Sequence, residues 1–132
     1  MRKINDLLKS RDLPGTQIKM ANRGGEIVMM LPGGRRQVVH IRREDHRYIL
    51  ASRVITRGRV KSFSSREIAE KIWDRNRYSD VVEFCIDEGG ELVGRIEQVA
   101  DSLDPEEFFF FLRRLAQECD RFEYLLTGKD EM

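Results

Sequence analysis

Little in this chain is equipped for chemistry. It holds only 2 cysteines and 2 histidines in 132 residues. Two cysteines are too few for the disulfide framework of a small secreted domain. Cys85 and Cys119 each sit inside an apolar pattern, the setting of buried free thiols in a reducing compartment. His40 and His46 have Arg42, Arg43 and Arg47 around them, a cationic setting that repels a metal ion and supplies too few ligands. No apolar run approaches the roughly 18 residues that cross a bilayer. Residues 1–6 lack the apolar stretch of a signal peptide, so a cytoplasmic protein without membrane contact is expected.

Phosphate and calcium motifs are missing too. Gly33-Gly34-Arg35-Arg36 has the glycines of a phosphate loop but not the Lys-Ser/Thr ending, nor a following helix to present amide donors. Asp87-Glu88-Gly89-Gly90 lacks the alternating oxygen ligands of a calcium loop and reads as a hairpin turn. Ser64 and Ser65 are accounted for by a helix cap, and neither cysteine has an evident base partner. The expectation is a non-enzyme with no cofactor and no metal.

The chain is instead rich in charge, and the charge is unevenly placed. The totals are 24 Lys and Arg against 23 Asp and Glu, yet residues 1–62 hold 15 against 5 and residues 63–132 hold 9 against 18. Such polarity serves pairing within one molecule, pairing between copies, or binding of a polyanion.

The length suits a single domain over residues 1–132. Ile4, Leu7 and Leu8 predict a short helix over 2–10 that must dock to be stable. Extended segments follow near 17–21, 26–31, 36–43 and 47–57, separated by Gly24-Gly25, Pro32-Gly33-Gly34 and Glu44-Asp45. In the fourth, Tyr48, Leu50, Ser52 and Val54 share one face. Arg47, Arg53 and Arg57 share the other with Ile49, Ala51 and Ile55.

Ser64-Ser65-Arg66-Glu67 is a capping box, with Phe63 placed to staple onto Ile68. The helix it starts should bury Ile68, Ala69, Ile72 and Trp73, with Asn76 near its end. A hairpin over 81–86 and 92–99 should turn Val82, Phe84 and Ile86 inward. Asp104 then caps a last helix with Pro105 in its first turn, Leu103 as a staple onto Phe108, and Gly128 as its stop. Phe108, Phe111, Leu112, Leu115, Cys119, Phe122 and Leu126 form its apolar stripe, with Phe109 at the edge. The order α-β-β-β-β-α-β-β-α defines an α+β domain whose antiparallel sheet is flanked by helices.

Two surfaces stand out. Arg42, Arg43, Arg47, Arg53 and Arg57 crowd the sheet region. Arginine grips phosphate bidentately, yet Tyr48 is the only aromatic platform among them. These arginines are therefore solvated or paired within the fold, or they meet a protein or a nucleic acid. The second surface is on the last helix, where Phe110 points away from the core on the side that carries Gln117 and Tyr124, spaced by seven and seven. Leaving Phe110 bare forgoes roughly 1.5–3 kcal/mol of burial, so a cover from within the chain or from a partner subunit is expected.

Residues 68–126 resemble the C-terminal part of YbjN-like proteins, which share the fold of the type III secretion chaperones. The similar elements are Ile72-Trp73-Asp74-Arg75-Asn76 closing a helix and the hairpin Val82-Glu83-Phe84-Cys85-Ile86-Asp87-Glu88-Gly89-Gly90-Glu91-Leu92. Leu103-Asp104-Pro105-Glu106-Glu107-Phe108 then opens the long helix that runs to Phe122-Glu123-Tyr124-Leu125-Leu126. The resemblance implies a cytoplasmic, often homodimeric module that binds other polypeptides, with no client-binding residue carried over. The leading expectation is thus a chaperone-like or regulatory protein-binding module with an unknown protein partner. The alternative is a nucleic-acid-binding module using the arginine face, recognisable by an affinity that falls steeply with salt.

Overall fold

Alternating apolar and polar residues become strands, and stripes at helical spacing become helices, close to where the pattern places them. The computed structural model describes residues 17–20, 25–31, 34–100 and 104–128. The helix over 2–10, Arg23, Gly24, Pro32, Gly33 and Leu103 lie outside the described residues. Strands β1 (Gln17–Met20), β2 (Glu26–Met30), β3 (Arg36–Glu44) and β4 (Arg47–Ile55) come first. A single helical turn, α1 (Arg57–Val60), leads to α2 (Ser65–Tyr78). The hairpin β5 (Glu83–Ile86) and β6 (Leu92–Val99) precedes α3 (Pro105–Thr127). All strands join one six-stranded sheet in the order β1-β2-β3-β4-β6-β5, antiparallel at every step. The expected α+β architecture is the one observed, with the short α1 added. It forms because Thr56 ends β4 and its side chain accepts from the Arg59 amide.

The ladder between β4 and β6 joins the two halves of the chain, setting Leu50 opposite Ile96 and Arg47 opposite Val99. On its inner face the sheet buries Ile27, Met29, Val39, Ile41, Tyr48, Leu50, Leu92 and Ile96. Helix α3 covers that face with Phe108, Phe109, Leu112, Leu115, Ala116, Cys119 and Phe122. Each large apolar side chain removed from water here contributes roughly 1.5–3 kcal/mol. A bulge between Arg53 and Ile55 lets Val54 and Ile55 both turn inward. The buried Ser52 hydroxyl lies 2.8 Å from Gln37 Oε1 and 2.9 Å from the Val38 carbonyl, so its proton has an acceptor within reach.

The helix ends follow their local chemistry. Ser64 and Glu67 form the reciprocal capping box, and Asp104 and Glu107 form a second one with Pro105 in the first turn. Gly128, with φ of 68°, takes the left-handed conformation that closes α3, and its amide bonds the Tyr124 carbonyl.

Several side chains sit elsewhere than the periodicity suggests. Phe109 is buried and Phe111 only half-buried, because α3 is rotated to aim Phe108, Leu112, Ala116 and Cys119 at the sheet. Trp73 and Ala69 face solvent, leaving Ile68 as the one fully buried residue of α2. Ile86 is exposed at the end of the outermost strand β5, and Cys85 is half-buried on the outer face opposite Val93.

At Gly94 α3 lies tightly against the sheet. A Cβ there would lie 2.6 Å from Cys119 Sγ and 3.0 Å from both Phe84 and Val82. Gly94→Ala therefore overpacks the core and should cost about 1–3 kcal/mol, lowering the urea midpoint at unchanged m-value. An unchanged midpoint would mean that α3 does not pack this tightly.

Candidate protein-interaction surfaces

Cross-strand register decides where the arginines point. Arg42 lies opposite Ile49 and Arg47 opposite Val99, both on the face away from α3. Arg43 instead lies opposite Tyr48 on the inner-face side. Its guanidinium sits 6.0 Å from the Tyr48 ring and its Nε donates to the Asp45 carbonyl. Arg57 is not on the sheet, because β4 ends at Ile55; its stem lies against Gly90 of the β5–β6 turn. The arginines Arg42, Arg43, Arg47, Arg53 and Arg57 thus do not make one row.

The three that do share the outer face are each paired. Arg42 meets Glu44 at 2.8 Å, Arg47 meets Glu97 at 3.0 Å, and Arg53 meets Glu91 at 3.3 Å. Arg95 also holds Glu97. Arg36 has no ion-pair partner among the described residues. Such half-exposed pairs add only about 0–1 kcal/mol each. Their consequence is electrostatic: Glu97 and Glu91 from the acidic half neutralise Arg47 and Arg53 from the basic half, while Arg42 is met by Glu44 of its own half. Ile49, 6% exposed, is sheltered on this face between the positions of Arg42 and Glu97. Two less exposed bridges hold α3 itself, Arg35 to Asp120 at 2.8 Å and Arg75 to Glu118 at 3.3 Å.

The outer side of α3 exposes aromatic surface. Phe110 is 45% and Tyr124 41% exposed, with Gln117 exposed between them. The structure therefore brings the three expected residues onto one side, opposite the buried stripe. Phe110 packs edge-on against Phe111 at 5.5 Å. Arg113, Arg114 and Arg121 share this side of the helix and have no ion-pair partner among the described residues.

Helix α2 presents a surface that the periodicity did not reveal. Trp73 is 63% and Tyr78 69% exposed. Arg77 lies between them, its guanidinium 4.9 Å from the Trp73 ring and 5.3 Å from that of Tyr78, a cation–π arrangement. The arginine four residues after the tryptophan was the available signal, since it puts both on one helix face. A shallow groove of about 160 Å³ between α2 and the end of α3 is lined by Tyr78, Phe122, Leu125 and Leu126, with Lys71 and Arg75 at its rim.

The β5 edge of the sheet is closed by side chains. Asn76 accepts from the Phe84 amide at 2.8 Å and donates to its carbonyl at 3.0 Å, in the manner of a neighbouring strand. Ser79 accepts from the Val82 amide. An incoming strand finds those groups already occupied.

No other chemistry gathers at these surfaces. Among the described residues no three or more His, Cys, Asp or Glu side chains converge, and no helix is long and apolar enough to cross a membrane. His40 faces Glu26 at 3.7 Å on the outer sheet face. Burial is the main force pushing the Cys119 thiol up from its ordinary range, and burial also raises that of Cys85 against the pull of Arg95.

No protein-family model matches the sequence, and no curated protein does. Solved structures do. A chain of the ExsC–ExsE complex shares 19% identity with a TM-score of 0.55, covering 86% of this chain and 83% of its own. A chain of the heterodimeric ExoU–SpcU complex from the type III secretion system of Pseudomonas aeruginosa shares 17% identity with a TM-score of 0.59, covering 96% of this chain and all of its own (100%). An uncharacterised protein from Methanothermobacter thermautotrophicus shares 12% identity with a TM-score of 0.55, covering 97% and 96%. The fold is that of the type III secretion chaperones, and these likenesses establish the fold alone.

The raised Cys119 pKa gives a signed expectation. The native state keeps this thiol protonated, whereas the unfolded chain releases its proton near the ordinary value of 9.0. The stability it contributes is complete below that pH and is lost as pH rises above it, at up to about 1.4 kcal/mol per unit. Urea unfolding at about pH 8 and about pH 10 should show a steeper alkaline loss for the wild type than for Cys119→Ala. Equal slopes would mean that the thiol is not held in the core.

Proposed function

We propose that the chain is a cytoplasmic, non-enzymatic protein-binding module of the chaperone type, YbjN-like in kind, acting as a homodimer that engages another polypeptide. The observation that carries this reading is the pair of exposed aromatic helix faces on a secretion-chaperone fold, Trp73 and Tyr78 on α2 and Phe110 and Tyr124 on α3. Exposed aromatics at helical spacing are characteristic anchors of protein interfaces, and Trp, Tyr and Arg dominate their binding energy.

The α2 face suits a second copy. Glu70 and Arg77 stand three residues before and four after Trp73. Two α2 helices crossing antiparallel between Trp73 and Asp74 would set each Glu70 beside the other copy's Arg77, with the indoles next to the two-fold axis. Such an interface is self-complementary in charge and has a buried aromatic centre. The neutralised arginine face lends no comparable support to nucleic-acid binding.

Trp73→Ser combined with Arg77→Glu should raise the dimer dissociation constant at least about 100-fold in sedimentation equilibrium. An unaltered association state would remove α2 as the dimer contact. Affinity capture of the tagged protein from its own lysate, with and without nuclease, tests the function itself. A discrete set of proteins that survives nuclease is expected; material lost to nuclease would replace the protein-binding reading with a nucleic-acid one.

A further inference from the structure

On the reading of this chain as a protein-binding module, we propose that the outer face of α3 is a docking surface for an acidic amphipathic segment of the partner polypeptide, and not for a second copy. Two features of the face combine. Phe110 and Tyr124 leave aromatic surface open to solvent at either end. Arg113, Arg114 and Arg121 lie among them with no ion-pair partner among the described residues. This face differs from the outer sheet face, where Arg42, Arg47 and Arg53 each hold a carboxylate. Of the two acidic side chains near the N-terminal end of the face, Glu107 is engaged in the capping box and Glu106 already has an interaction of its own.

Symmetry argues against a copy of the same chain. Phe110 and Tyr124 are each seven residues from Gln117, so an antiparallel two-fold contact would centre on Gln117 and stack Phe110 on the copy's Tyr124. The same operation sets Arg113 against the copy's Arg121, twice. Unpaired guanidiniums would then face one another in a desolvating interface, and like charges there disfavour association strongly. A partner with carboxylates among its apolar anchors has no such conflict. Its charges meet the arginines through bidentate hydrogen bonds while its apolar residues cover Phe110 and Tyr124. The face runs about 21 Å from Phe110 to Tyr124 at helical rise, which a partner helix of about four turns matches.

The test uses the full chain and a synthetic peptide of about 18 residues, with Leu at helical spacing and Glu elsewhere. A version with Lys for Glu and a single-stranded oligonucleotide of equal length serve as competitors. The Glu peptide should bind at least about 10-fold more tightly than the Lys peptide, with an affinity that weakens as salt is raised. Arg113→Glu with Arg121→Glu should reduce Glu-peptide affinity at least about 10-fold, and the milder Arg113→Gln with Arg121→Gln should reduce it less. Arg47→Glu with Arg53→Glu should leave it within about twofold. All these positions are at least partly exposed, and far-ultraviolet circular dichroism verifies that each variant is folded.

Equal binding of the two peptides, an equal effect of the sheet variant, or tighter Arg121-dependent binding of the oligonucleotide would each overturn the proposal. Conversion of a dimer to a monomer by Phe110→Ser would also overturn it, by showing that a second copy occupies the face. Capture from lysate separates its failure from that of the broader reading. If Arg113→Glu with Arg121→Glu retains every protein that the wild type captures, the α3 assignment falls while protein binding stands. If the wild type captures no protein, the protein-binding reading falls.

Discussion

Packing of one arc of α3 against the inner face of the sheet is the interaction on which the rest of the structure depends. The arc is defined by Phe108, Leu112, Leu115, Cys119 and Phe122, all buried among strand residues such as Tyr48, Leu50 and Ile96. Close packing makes the helix rotation hard to change, since even one methylene at Gly94 meets Cys119. A helix whose buried arc is fixed also has a fixed outer side. Phe110, Gln117 and Tyr124 are therefore held outward by the same contacts that bury Phe109 and Leu112, so the proposed binding surface is a consequence of the core.

The second organising fact is topological. Strand β6 pairs with β4, so the acidic half of the sequence lies directly beside the basic half. Arg47 reaches Glu97 and Arg53 reaches Glu91 across the strands, while Arg35 reaches Asp120 on α3. Part of the polarity seen along the sequence is thus paired inside one molecule. Charge that is balanced in this way contributes little to stability but weakens the long-range field that would draw a polyanion to the sheet. Arg113, Arg114 and Arg121 on α3 have no such ion pair among the described residues.

Much of this was legible in the chain before folding. Strand alternation, both helix caps and the Gly128 stop are local signals, and among the described residues the strands and the two long helices formed close to where their own residues specified. The Phe110 side of α3 could be read because seven-residue spacing on a long capped helix needs no tertiary information. Features that depend on a neighbouring element could not be read in the same way. Trp73 looked like core because it follows Ile72, but α2 packs mainly at the sheet's β5 edge and so has room to bury only a narrow strip around Ile68. Phe109 and Phe111 exchanged roles because adjacent positions on a wholly aromatic turn differ only by helix rotation, which the sheet decides. The arginine row dissolved because Arg43 has the opposite strand parity from Arg42 and Thr56 ended β4 before Arg57. Asn76 gave no sequence-level hint that it would close a sheet edge, since its partner Phe84 is reached only after the chain turns back.

The division of labour among three surfaces can be examined in a single experiment. A photo-cross-linking amino acid would be placed at Phe110, at Trp73 or at Val38, the last on the outer face of the sheet, and the protein irradiated in its own cells. Position 73 should cross-link to another copy of the chain, position 110 to a different polypeptide, and position 38 to neither. Cross-links to a partner from position 38, with none from position 110, would contradict the assignment of binding to α3 and return the sheet face to the centre of the protein's function.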